Sequence, residues 1–212
     1  MQHFDHDKWK EVISQHDWYL ILRDELAELL HGEEAGKEAV EQFFETALHD
    51  RTIMLGVIGP NWDRERKPID TIVIYQTHRP SGISWRRLSA MGLLSAYVPR
   101  YISPPPGAPQ KIGDPIYAHH LRGAEQVFYL YHWLVRQDGS MERFLGDHEI
   151  GWHSGDRELD AKSIAICLDG NFDKTPIPEI MQKTLHALID EHYHHVAPEH
   201  LVFNGSQKQF VF

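Results

Sequence analysis

Apolar residues in the first quarter of the chain recur at helical spacing. Leu22, Leu26, Leu29 and Leu30 fall on one face after Trp18, Gly32 supplies a stop, and Ala39, Val40, Phe43, Phe44 and Ala47 repeat the pattern. The spacing predicts two packed helices. GPNWDRERKP, 59–68, concentrates turn formers and charge and marks a boundary. Beyond it the period changes. IDTIVIYQT, 69–77, is a β-branched run suited to a strand buried on both faces, and 85–97 reads as a helix. ISPPPGAPQKIGDP, 102–115, reads as a stiff proline-rich loop. Residues 126–136 and 140–145 read as strands joined at Asp138-Gly139, a hairpin turn signal. SIAICL, 163–168, is another apolar strand. A helix over 178–192 with Ile180, Met181, Leu185, Leu188 and Ile189 on one face follows, and LVF, 201–203, is a last short strand before Asn204.

Composition narrows the function classes. The 212 residues are 42% hydrophobic and 25% charged, an ordinary soluble composition for one α/β domain with an appended helical segment. A formal charge of −10 argues against a nucleic-acid or anionic-membrane surface, because neither clustered Lys nor clustered Arg is available to meet phosphate. The lone Cys167 lies in an apolar run and reads as a buried structural thiol. No stretch approaches the ~20 apolar residues of a membrane span, and MQHFDHDKWKEV has no signal-peptide pattern, so a cytoplasmic location is expected. No G-x-S-x-G elbow, P-loop or dinucleotide fingerprint occurs. Sixteen histidines invite a metal hypothesis, but HExxH and HxxEH spacings are both missing.

The succession IVIYQT, YHWLVRQDGSMERF, EIGWHSGD, SIAICLDGNF, a helix and LVFN resembles the zinc-dependent N-acetylmuramoyl-L-alanine amidases and the related peptidoglycan recognition proteins. It covers roughly residues 69–205 and leaves the first 66 and the proline-rich loop unexplained. The resemblance implies an α/β fold, a mixed central β-sheet flanked by helices, over 67–212, preceded by an N-terminal helical segment over 1–66. It also implies a groove for the lactyl-peptide junction of peptidoglycan.

In that family a zinc ion polarises the amide carbonyl and supplies hydroxide from three protein ligands. The matching positions here are Tyr75, Asn204 and a site at or near Phe212, none of them an imidazole, thiolate or carboxylate. Tyr131 matches the tyrosine beside the reacting carbonyl, and His153 the histidine of the G-x-H loop; these two are the catalytic candidates if the domain is active. Tyr75, His78, Tyr131, His153, Arg157 and Asn204 are the candidate substrate-binding residues, Arg157 through pairing with a ligand carboxylate. Asp156, Arg157, Glu158 and Asp160 read as a charged loop.

The leading expectation is a zinc-free, cofactor-free domain that binds a peptidoglycan fragment or muropeptide. Two others stay open. One is an active metal-dependent amidase with an unusual ligand set, such as His78, His120 and His153; the other is a non-catalytic scaffold whose N-terminal helices meet a protein partner.

Overall fold

The computed structural model describes residues 4–104, 106–107 and 113–204. Along the chain run α1 (His6–Val12), α2 (Trp18–Ile21), α3 (Arg23–His31), α4 (Glu34–His49), β1 (Thr71–Gln76) and α5 (Trp85–Gly92). They are followed by α6 (Val98–Ile102), β2 (Leu121–Arg122), β3 (Glu125–Gln126), β4 (Trp133–Val135) and β5 (Met141–Arg143). The last elements are α7 (Arg157–Lys162), β6 (Ser163–Leu168), α8 (Glu179–His192) and β7 (Leu201–Phe203). The chain forms two compact units, Met1–Pro60 with Arg86–Tyr129, and Asn61–Trp85 with Leu130–Phe212.

In the first unit, α1–α4 gather Trp9, Trp18, Leu22, Leu26, Val40 and Phe44, all essentially buried. The helix expected from Trp18 is two, because the backbone opens at Leu22, where φ is −91° and ψ is 3°. The expected helix over 85–97 continues as a π-type turn, Leu93–Tyr97, and then α6, with Pro99 in its first turn where its missing N–H is not needed. Gly92 permits this path, since a Cβ there would stand 1.9 Å from the Tyr129 Cβ.

The second unit is built on a five-stranded sheet in the order β5-β4-β6-β1-β7. Strands β4, β6, β1 and β7 are parallel to their neighbours, and β5 runs antiparallel on one edge, so the sheet is mixed. Strands β1 and β6 are buried at every position, which is why their sequences read as continuous apolar runs rather than alternating ones. One face of the sheet, Ile72, Ile74, Ile164, Ile166 and Leu168, packs with Met181, Leu185, Leu188 and Ile189 of α8, whereas Ile180, expected on that face, is 48% exposed. Each such side chain, fully buried, stabilises the fold by about 1.5–3 kcal/mol.

The strand expected over 126–136 is shorter than its sequence suggests. Gln126 instead closes the β2–β3 pair in the first unit, where its carboxamide accepts from the Ala118 N–H at 2.6 Å and donates to the Gly56 carbonyl. Only Trp133–Val135 makes the ladder, and the hairpin turn lies as expected at Gly139, whose φ is +83°. The charged stretch 156–160 is not a loop. Asp156 caps α7 by accepting from the Glu158 and Leu159 N–H groups, the ordinary role of aspartate at a helix start. Among the described residues no helix is long and apolar enough to cross a membrane.

Candidate functional site

Tyr75 projects from β1 on the face opposite Ile74, level with Cys167 of β6. Its ring lies 5.1 Å from that of Tyr131 and 5.5 Å, edge to face, from that of His153. Its hydroxyl is 2.9 Å from His153 Nδ1. The three sequence-selected residues Tyr75, Tyr131 and His153 therefore come together, and all are buried, at 4%, 3% and 1% exposure. Gly151 brings the histidine's loop into place, since a Cβ there would stand 2.3 Å from the Leu130 carbonyl oxygen, next to Tyr131.

Hydrogen-bond partners settle the tautomer of His153. The Ser163 hydroxyl donates to the Leu159 carbonyl at 2.6 Å, so its oxygen, 3.0 Å from His153 Nε2, is left to accept. Nε2 therefore carries the proton, and Nδ1 accepts from the Tyr75 hydroxyl. Asp160 Oδ1, 3.3 Å from Nε2, is a second acceptor and also receives the Ser154 N–H and hydroxyl. Burial holds His153 well below the usual imidazole range, helped by nearby His132 and Arg66, so the ring is neutral and its contact with Asp160 is a hydrogen bond rather than an ion pair. Burial pushes the Asp160 carboxyl up to about 6 against the bonds from Ser154, and its Oδ2 is buried without a hydrogen-bond partner.

Below this pair lies a second buried imidazole. His132 Nε2 faces the Glu149 carbonyl at 3.0 Å, and Nδ1 accepts the Ala165 N–H at 3.1 Å, which again specifies a neutral ring protonated at Nε2. Burial, with the Arg66 charge nearby, lowers its pKa to about 3. The Arg66 guanidinium is tied to backbone carbonyls of Asp147, Asp160 and Ser163 at 2.7–3.0 Å. It knits the loop before β1 to α7 and β6.

The remaining candidates lie elsewhere. His78 is exposed and faces Asp173. Asn204 is exposed just past β7, its N–H donating to the Ile74 carbonyl. Arg157 stacks on Trp62, 3.5 Å from the ring centre, and is bonded to Glu65 through Nε at 2.9 Å. The position near Phe212 falls outside the described residues. His120 is fully buried in the first unit. Among the described residues no three His, Cys, Asp or Glu side chains converge as metal ligands. Ser163, His132, Arg66 and Asp173 were not singled out from sequence, and Asp160 was read only as part of a charged loop. Only Asp160 carried a local signal, four residues after a helix-capping aspartate.

The second unit is thus an α/β domain whose mixed sheet carries a buried tyrosine–histidine cluster behind the carboxyl end of β1. Residues 65–206 match the family model described as N-acetylmuramoyl-L-alanine amidase, and the chain belongs to that family. Among solved structures it is similar to the N-acetylmuramoyl-L-alanine amidase LysC from Clostridium intestinale, at 17% identity, 66% of this chain, 71% of that one and a TM-score of 0.42. It is also similar to the Drosophila peptidoglycan recognition protein SD, at 15% identity, 71% and 75% coverage and a TM-score of 0.43. No curated protein sequence matches the chain.

Proposed function

We propose that this chain is a zinc-free member of the amidase family that binds a peptidoglycan fragment without hydrolysing it. The observation that carries the reading is the Tyr75–His153 hydrogen bond. The resemblance puts Tyr75 at the first zinc-ligand position, and its hydroxyl is spent on a neutral imidazole whose other nitrogen is also bonded. A phenol that keeps its proton, donated to an imidazole, is a poor zinc ligand, and so is the carboxamide of Asn204. Zinc does not fit these residues.

Tyr75, Tyr131 and His153 then act as a rigid floor. A bound fragment meets the exposed polar residues at the carboxyl ends of the parallel strands, the end at which α/β sheets place ligands. In this role the N-terminal helices serve a protein partner, and the domain works in the cytoplasm.

Metal analysis and calorimetry test this together. Protein purified from zinc-supplemented culture is expected to hold far less than one zinc per chain and to release saturable heat with N-acetylmuramoyl-L-alanyl-D-isoglutamine while leaving its amide intact. Stoichiometric zinc whose removal by chelation abolishes amide cleavage sinks the reading in favour of an active amidase.

A further inference from the structure

One exposed imidazole of the second unit, His78, is arranged differently from the buried ones. His78 follows β1 with a φ of +56°, a left-handed conformation uncommon outside glycine. The loop that carries it is pinned to the loop after β6. The His78 N–H donates to the Gly170 carbonyl at 3.0 Å, and the Thr77 hydroxyl donates to that carbonyl at 3.1 Å while accepting the Gly170 N–H at 3.0 Å.

Its side chain is oriented as well. His78 Nδ1 faces Asp173 Oδ2 at 3.3 Å, and Asp173 Oδ1 is held at 2.7 Å by the side-chain amide of Gln76, a residue 5% exposed. The Gln76 carbonyl oxygen in turn accepts the Phe172 N–H at 2.6 Å, which fixes the direction of its carboxamide. An ordinary surface His–Asp contact contributes little and needs no such support. Here a buried glutamine and a left-handed backbone both hold the pair in one geometry, while the histidine stays 53% and the aspartate 37% exposed. Strain and orientation of that kind are features of sites prepared before the ligand arrives.

An aspartate oxygen facing Nδ1 can only be met by a proton on that nitrogen, so in the neutral ring Nε2 carries a lone pair. We propose that His78, positioned by Asp173 and Gln76, is the polar contact of this domain for its ligand. Nε2 accepts a hydrogen bond from a neutral donor, a peptide N–H or a sugar O–H. The inference rests on the binding reading above and names the polar residue that meets the fragment at the carboxyl ends of β1 and β6.

Two measurements on the full chain test it. Calorimetric titration with N-acetylmuramoyl-L-alanyl-D-isoglutamine is made on the unaltered chain and on His78→Gly and His78→Asn, both compatible with a positive φ. Asp173→Asn is titrated alongside. The expected result is affinity at least tenfold weaker for both His78 variants and a smaller loss for Asp173→Asn, with unchanged thermal midpoints. Binding retained within twofold by both His78 variants overturns the dyad and leaves the binding reading intact; no heat from the unaltered chain overturns both. Independently, long-range proton–nitrogen NMR of the unaltered chain is expected to find neutral His78 protonated at Nδ1, with Nε2 shifting on addition of the muramyl peptide. An Nε2-protonated ring overturns the assignment whatever the variants do.

Discussion

The hydroxyl of Tyr75 donates to Nδ1 of His153 across 2.9 Å, between two residues that are each at least 96% buried. A buried acceptor stripped of its donor costs about 1–3 kcal/mol. Tyr75→Phe, which keeps the ring and removes the bond, is therefore expected to lower the unfolding free energy by about that amount. Urea denaturation at pH 7 measures it; an unchanged midpoint would mean that Nδ1 finds another donor.

The buried imidazoles make the fold acid-sensitive. His132 is depressed from 6.5 to about 3 and His153 is lowered too, so the unfolded chain binds their protons first. The contribution of His132 is complete above pH 6.5 and is lost as the pH falls towards 3, about 5 kcal/mol, and His153 acts in the same direction. A stability profile by urea unfolding should fall steeply on that limb, and His132→Gln should flatten it while lowering stability at pH 7.

Asp160 works in the opposite sense. Its carboxyl, raised from 3.8 to about 6, favours the folded state below pH 3.8, and that contribution is lost as the pH rises through 6. Between pH 4 and 6 it offsets part of the histidine effect. Asp160→Asn removes the offset, so its acid limb should be steeper than that of the unaltered chain; a shallower one contradicts the assignment.

Gly151 is a test of packing at the same place. Alanine there forces its Cβ against the Leu130 carbonyl, and the backbone has to shift. A loss of about 1–3 kcal/mol is expected from such overpacking. It should appear as a lower thermal midpoint together with changed NMR shifts of the His153 ring.

Restoring one ligand should not restore a metal site. Tyr75→His supplies a single imidazole where catalytic zinc needs three protein ligands. Equilibrium dialysis is expected to find no stoichiometric zinc in that variant, and a tightly bound ion would show that two further ligands stand ready.

Much of the architecture was legible because burial leaves its mark on residue choice. TIVIYQ and SIAICL are the two central strands, and each is apolar throughout because both of its faces are covered. Asp138-Gly139 announced its hairpin and the period of Met181, Leu185 and Leu188 announced α8. Other marks misled. The aromatic, β-branched look of 126–136 reflects burial without a ladder over its first half, and the polar look of 156–160 concealed a capped helix.

The candidate site divides in the same way. The family resemblance selected Tyr75, Tyr131 and His153, and the chain itself determined that the position after TIVI holds a phenol rather than an imidazole. Which nitrogen of His153 carries the proton, that Asp160 and Ser163 share it, and that Arg157 is taken up by Glu65 and Trp62 depended on contacts between residues up to 95 positions apart. No local pattern encodes such contacts, because a hydrogen bond is chosen by what the fold brings within about 3 Å. Sequence alone determined which side chains were available at the end of β1. Tertiary structure decided that the histidine of the G-x-H loop is turned inward and satisfied, while His78 lies half exposed beside Asp173.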